Sequence, residues 1–421
     1  MVDKKHISEL LAPAGGREQL EAAVRYGADA VYLACERFGL RQRAANFALA
    51  DIPDAVAFAH GAGVRVYAAL NALMDADDLA ALPAYLEALA AAGIDAFIVS
   101  DLGAFRLAQR HAPGVDLHVS TQASVSNAEA ARVWHELGAR RIVCAREMSI
   151  GDIARLRADA PAGLEIEAFA HGAMCMAVSG RCLISSHLTG RSGNKGHCTQ
   201  PCRWNYALVE EQRPGEFFPV EEDARGTYIM NAQDLNMIEH VDDLRAAGVD
   251  SLKIEGRNKK AFYVATVVGA YRRVLDGADA CEVAPELLTV SHRPYGTGFY
   301  YGRAEQSPER DGYVKECLLA AVVRACEPAG EGTWRLEVEC RNRFAEGDEL
   351  EALVPGRPPA KLHVRDLVWL PGTGPDDAPP APGEPPAPPS AAAVANRSGA
   401  RYRFCADIPL APKDFLRIRA R

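Results

Sequence analysis

Tyr26-Gly27-Ala28-Asp29-Ala30-Val31-Tyr32 compresses a helix end, a turn and a strand start into seven residues. The same device returns at Ala92-Gly93-Ile94-Asp95-Ala96 and at Ala247-Gly248-Val249-Asp250, and in shorter form at Leu137-Gly138. In each, a glycine closes a helix by taking the left-handed conformation other residues avoid, and an apolar strand follows at once. Working outward, the pattern predicts strands at Ser8–Ala12, Ala30–Ala34, Val64–Leu70, Ala96–Ser100, Asp116–Ser120, Arg141–Ala145, Leu164–Ala168 and Asp250–Glu255. Most precede an amphipathic helix, such as Arg17–Tyr26 or Asp77–Ala92. Eight β–α units predict an α/β fold, a parallel (β/α)8 TIM-like barrel. A doubly wound open sheet is the alternative, but no G-x-G-x-x-G follows the first strand to bind a dinucleotide.

One unit is abnormal. Roughly 80 residues separate the seventh and eighth strands, where a short loop and one helix are expected. This Cys-rich insertion, about 169–226, leaves the strand at its C-terminal end, the face that carries catalytic loops in such barrels. It places Cys175, Cys182, Cys198 and Cys202 as C-x6-C-x15-C-x3-C. Four thiolates this close suit an iron–sulfur cluster or a structural zinc, and the six-residue gap is wide for a zinc ribbon. The alternative is ordinary packing of a small apolar residue, which describes the other seven cysteines. The window Ala168–Val209 holds no acidic residue but has Arg181, Arg191, Lys195 and Arg203. That excess either offsets an anionic cluster or serves an anionic ligand such as RNA phosphates.

Beyond about residue 285 the pattern changes. Cys317–Ala325, Trp334–Cys340, Glu349–Leu353, Lys361–Trp369 and Tyr402–Ala406 read as strands, several alternating apolar with polar. The division is therefore a barrel domain over 1–284 and a small C-terminal antiparallel β domain over 285–421. Within the latter, 371–390 is a Pro/Ala-rich mobile loop. The chain has 421 residues and a formal net charge of −9, so any nucleic-acid binding must be local. No apolar run reaches the length of a membrane span and no signal peptide is visible. Eleven cysteines without an export signal imply reduced thiols in a cytoplasm.

The strand ends offer Glu36, Arg37, Arg41, Arg43, Asn71, Asp101, Thr121, Gln122, Glu147, His171, Glu255 and Arg257 to a polar pocket. Lys253-Ile254-Glu255-Gly256-Arg257 is the most pointed, with an arginine suited to a carboxylate and Lys253 adding charge nearby; a salt bridge at the barrel rim is the other use of these residues. There is no H-E-x-x-H and no G-x-S-x-G. A nucleophile–base pair of Cys175 and His171 would break the cysteine quartet.

Glu167-Ala168-Phe169-Ala170-His171-Gly172-Ala173-Met174-Cys175, then Ser179-Gly180-Arg181-Cys182-Leu183-Ile184-Ser185, resembles the signature of the collagenase-like peptidases of unknown catalytic type. The resemblance extends to Glu9–Gly15, Tyr26–Tyr32, Thr227–Leu235, Ser251–Arg257 and His292-Arg293-Pro294-Tyr295. Within that family the chain is similar to the bacterial tRNA hydroxylation proteins, in cysteine spacing, in Arg203-Trp204 and in the appended β domain. The resemblance implies 5-hydroxyuridine formation at the tRNA wobble position, dependent on prephenate and not on dioxygen, with a 4Fe-4S cluster on Cys175, Cys182, Cys198 and Cys202. On this reading Arg257, Arg41 or Arg43, and Gln122 hold substrate, and Glu255 or His171 handles protons. A collagenase-like peptidase and a non-catalytic RNA-binding module are the alternatives.

Overall fold

The computed structural model describes residues 9–40, 46–174, 184–193, 196–201, 204, 207–208, 218–219, 233–302, 304, 314–375 and 388–420. The first seven strands are β1 (Glu9–Pro13), β2 (Ala30–Leu33), β3 (Arg65–Leu70), β4 (Ala96–Val99), β5 (Asp116–Val119), β6 (Arg141–Val143) and β7 (Glu165–Ala173). A short strand β8 (Asp234–Asn236) follows, then β9 (Ser251–Ile254). Each of β1 to β7 pairs in parallel with the next. Strand β9 pairs in parallel with both β7 and β1, which closes an eight-stranded barrel. The TIM-like expectation therefore holds.

Local chemistry accounts for the regularity. Strands β1, β2 and β4 are buried along their whole length, as parallel strands covered on both faces are. Helices start on side-chain caps: Asp75 and Ser149 form capping boxes with Asp78 and Asp152, and Asp101 and Asn127 cap two more. The four turn glycines end helices in the left-handed region, Gly27 at φ 100°, Gly93 at 87°, Gly138 at 105° and Gly248 at 84°.

Leu11, Ala30, Tyr32, Tyr67, Ala96 and Ile98 pack together as apolar filling. Beside them lies a charged cluster. Arg141 on β6 bonds both Glu9 on β1 and Glu167 on β7, and Lys253 on β9 reaches Glu167 Oε1 at 2.7 Å. Strands β6 and β1 are not neighbours, so the Arg141–Glu9 contact crosses the barrel interior. Tyr67 and Ser251 hydroxyls complete the shell of Glu9 at 2.6 and 2.8 Å. Lys253 was expected to lend its charge to Arg257, but pairing with Glu167 spends it inside the barrel instead.

Strand β7 runs five residues past its expected end at Ala168, because its overhang finds a second partner. Ala173, Gly172 and His171 pair antiparallel with Asp234, Leu235 and Asn236 of β8. A tenth strand, β10 (Tyr295–Gly296), pairs in parallel with β8.

The chain divides into two compact units, 1–284 with 292–314, and 285–291 with 315–421. It thus crosses between them three times, whereas the sequence suggested one crossing after residue 284. The second unit is built from β11 (Cys317–Gly330), β12 (Thr333–Cys340), β13 (Glu349–Leu353), β14 (Ala360–His363), β15 (Arg365–Leu370), β16 (Arg401–Ala406) and β17 (Phe415–Arg419). All its long pairings are antiparallel, in the order β14-β13-β17-β11-β12-β16-β15. The single strand expected at Lys361–Trp369 is two strands: the break falls at Val364, and Asp366, at φ 57°, marks an irregularity just inside β15. Those two lie at opposite ends of the sheet order yet are one residue apart, so the sheet rolls up around its core of Leu336, Val338, Phe344, Leu350, Tyr402 and Phe404. Strand β17 was not anticipated. Residues 376–387, the heart of the expected mobile loop, lie outside the described residues.

Candidate active site at the C-terminal mouth of the barrel

His171 sits where β7 leaves the barrel, opposite Ile254 of β9 on one side and Asn236 of β8 on the other. The pairing with β9 shifts register between Lys253 and Ile254, a bulge that re-aims the residues beyond it. Gly172 follows at φ 105°, and a Cβ there would lie 2.5 Å from the Glu255 carbonyl oxygen. Glycine thus lets the strand end bearing His171 run against the segment bearing Glu255. The two are joined directly, since the Glu255 amide donates to the His171 carbonyl at 2.8 Å.

The imidazole is 1% exposed and ringed by Tyr263, Tyr271 and Tyr295. Its Nδ1 faces the Tyr271 hydroxyl at 3.5 Å and its Nε2 faces the Tyr295 hydroxyl at 3.4 Å. The Tyr271 proton goes to the Ala170 carbonyl at 2.7 Å, so toward the histidine that oxygen accepts. This assigns the hydrogen to Nδ1 and leaves Nε2 as an acceptor for Tyr295. Burial pushes the His171 pKa down to about 3, with Lys259 and His292 adding to it and an Asn236 hydrogen bond opposing. The ring is neutral at physiological pH and, with its charged form disfavoured by burial, is a weak base. Tyr295 stacks on His292, ring centres 4.4 Å apart. Burial raises the pKa values of all three tyrosines, so they remain phenols at neutral pH.

Glu255 is 16% exposed at the carboxylate and pairs with Arg146 Nη2 at 3.2 Å. Arg146 also donates to the Ala173 carbonyl at 2.7 Å and lies 3.9 Å over the Phe169 ring. It thereby ties the loop after β6 to the ends of β7 and β9. Asp234 is buried next to this group: one carboxylate oxygen accepts from the Arg293 amide at 3.2 Å and the other has no hydrogen-bond partner.

Arg257 is also buried, and its Nη2 donates to the Leu40 carbonyl. Its backbone is fixed by Gly15, where a Cβ would stand 1.9 Å from the Arg257 carbonyl oxygen. The Leu40 bond links Arg257 to the segment that continues into Arg41 and Arg43, which lie outside the described residues. Gln122 is half-buried in a single helical turn after β5, its amide bonded to Ser120 Oγ at 3.3 Å. Asp101 and Thr121 have structural tasks, a helix cap and a 2.9 Å bond to the Cys144 carbonyl.

Of the cysteine quartet, Cys175, Cys182 and Cys202 lie outside the described residues. Cys198 is half-buried, not in a disulfide, and its sulfur accepts the Gln200 amide at 3.3 Å. An amide directed at sulfur is a contact made by free thiols and ligating thiolates alike. Among the described residues no group of three or more His, Cys, Asp or Glu side chains is placed to hold a metal ion.

Sequence reading missed Arg146, Asp234 and the tyrosine ring. Arg146 adjoins Glu147, which it did name, and a buried arginine after a strand end is the signal that pointed one residue away. Tyr263 and Tyr271 sit on a helix (Ala261–Leu275) apolar enough to read as core alone.

The model of peptidase family U32 matches residues 15–310. The chain belongs to this family. It is 38% identical over 370 residues to the tRNA hydroxylation protein P1 of Bacillus subtilis, covering 86% of each chain. It is 37% identical over 276 residues to a 23S rRNA 5-hydroxycytidine synthase of Escherichia coli, covering 66% of this chain and 40% of that one. It is 35% identical over 313 residues to the collagenase of Porphyromonas gingivalis, covering 70% and 74%. No helix among the described residues is long and apolar enough to cross a membrane.

Proposed function

We propose that this U32 member is an RNA hydroxylase acting on tRNA in the cytoplasm, making 5-hydroxyuridine from wobble uridine with prephenate as co-substrate and without dioxygen. The observation that carries this reading is the 38% identity to a protein named for tRNA hydroxylation, extending over 86% of both chains. The relative named for 23S rRNA 5-hydroxycytidine synthesis supports RNA hydroxylation as the wider activity. Cys175, Cys182, Cys198 and Cys202 would hold a 4Fe-4S cluster, which supplies one-electron redox chemistry when bound.

The protein's own residues supply position and proton handling. Glu255, held by Arg146, keeps a carboxylate at the rim to handle protons, and neutral His171, its Nε2 facing the Tyr295 hydroxyl, orients that phenol. Arg257, braced by Leu40, grips a carboxylate of prephenate together with Arg41 or Arg43, and Gln122 lines the substrate side. The collagenase relative favours a peptidase as second reading. Against it, both ring nitrogens of His171 face phenols, not a nucleophile.

Deleting the gene and measuring nucleosides of bulk tRNA by mass spectrometry tests the proposal. Loss of 5-hydroxyuridine, restored by the wild-type gene, is the expected result; an unchanged modification level sinks it.

A further inference from the structure

The outer face of the rolled sheet carries an excess of one charge. Along β11, β12 and β16, inward residues form the core, and outward ones include Arg324, Glu337, Glu339, Arg401 and Arg403, with Arg341 just past β12. Glu339 accepts from Arg324 Nε at 2.9 Å and pairs with Arg341 Nη2 at 2.9 Å. Glu337 pairs with Arg401 at 2.8 Å and Arg403 at 3.5 Å. Each carboxylate is therefore shared by two guanidiniums, which leaves this stretch positive in a chain whose formal net charge is −9.

The arginines also lie outermost. Arg401 and Arg403 side chains are 47% and 39% exposed, against 19% for the Glu337 that joins them. Arg401 and Arg403 each pair with Glu337 through a single nitrogen, and a guanidinium has five N–H donors in a planar fork. The opposite end of the face differs, because Arg335 stands across from Glu327 and the charges balance. On the β17 side Arg417 is buried against Glu351 and Thr289.

We propose that this arginine-rich end of the second unit's sheet binds RNA through its phosphates. The cations named are all arginine, the residue whose fork matches phosphate oxygens in pairs. Strand β12 separates β11 from β16, so Arg324 stands two strand spacings, about 10 Å, from the β16 pair, and Arg401 and Arg403 are about 7 Å apart along one strand, near enough for several to follow one sugar–phosphate backbone. The inference shares with the proposed function the premise that RNA is the ligand. It goes further in assigning a binding surface on the second unit.

The test uses the full chain and unfractionated bacterial tRNA, with affinity followed across salt concentrations. Arg401→Gln/Arg403→Gln should bind about ten-fold more weakly, with the slope of log affinity on log salt smaller by about 1.5 to 2. Glu337→Gln should do the reverse, tightening binding and steepening the slope, an outcome a misfolded variant cannot give. Equal affinity and slope in all three proteins overturns the proposal. So does wild-type protein that binds polyglutamate but not tRNA, which would make the face a protein-docking site. If the variants shift as expected while deletion leaves 5-hydroxyuridine intact, the surface stands and the hydroxylase reading falls.

Discussion

A lysine inside a barrel is stable only while its counter-charge stays with it. Lys253 and Glu167 are both buried, 2.7 Å apart, and Glu167 is shared with Arg141. Removing one member of such a pair strands the other in a medium that solvates it poorly. Lys253→Met should lower the unfolding free energy by about 3 kcal/mol or more. Adding Glu167→Gln should recover much of that, since Arg141 keeps Glu9 and Glu165. Urea titration of the single and double variants checks both. His171 makes a pH prediction. Its folded pKa of about 3 lies below the value near 6.5 expected when unfolded. Between those values the unfolded chain takes up a proton that the folded chain refuses. Its contribution is therefore intact above pH 6.5 and is lost as pH falls toward 3. His171→Asn should flatten the slope of stability against pH in that window by up to one proton, ~1.4 kcal/mol per pH unit. An unchanged slope would show that the ring is not held neutral. At this scale Glu255 and His171 were legible because they end strands, whereas Arg146 and Asp234 gain meaning only from partners distant in sequence.

At the scale of elements, the sharpest junction is where β7 passes from its parallel partner to its antiparallel one. Gly172 makes the crossing, with φ 105° and the Glu255 carbonyl where a side chain would begin. Gly172→Ala should push Glu255 away from Arg146 and lower both stability and, under the proposed function, the 5-hydroxyuridine content of tRNA. Unfolding curves and nucleoside analysis read the two effects, and wild-type behaviour in both would discount the contact. The elements themselves were the most legible part of the sequence. Turn glycines and continuous apolar runs located all eight barrel strands to within a few residues, because those signals are local. The overhang of β7 and strand β8 carry no such signal, as they depend on each other. Strand β17, the five residues directly following Pro412-Lys413-Asp414, does not alternate, its first three being buried and only its last exposed. The break at Val364 hides inside a run that reads as continuous strand.

For the whole molecule, the second return of the chain matters more than the boundary after Ala284. Residues 292–314 belong to the barrel unit and bring Tyr295 to Asp234 and His171. A fragment ending at Ala284 should therefore be less stable than one ending at Val314, and calorimetry of the two compares them directly. Equal melting temperatures would make the β8–β10 pairing dispensable.

That interleaving constrains synthesis as well. A nascent chain can wind most of the barrel while still tethered to the ribosome, but His171 has to wait for Tyr295 to emerge from the exit tunnel. By then the stretch 285–291, claimed by the later unit, has already appeared. The mouth of the barrel is therefore completed late in translation, and a pause before that point would expose its half-built tyrosine ring to chaperones.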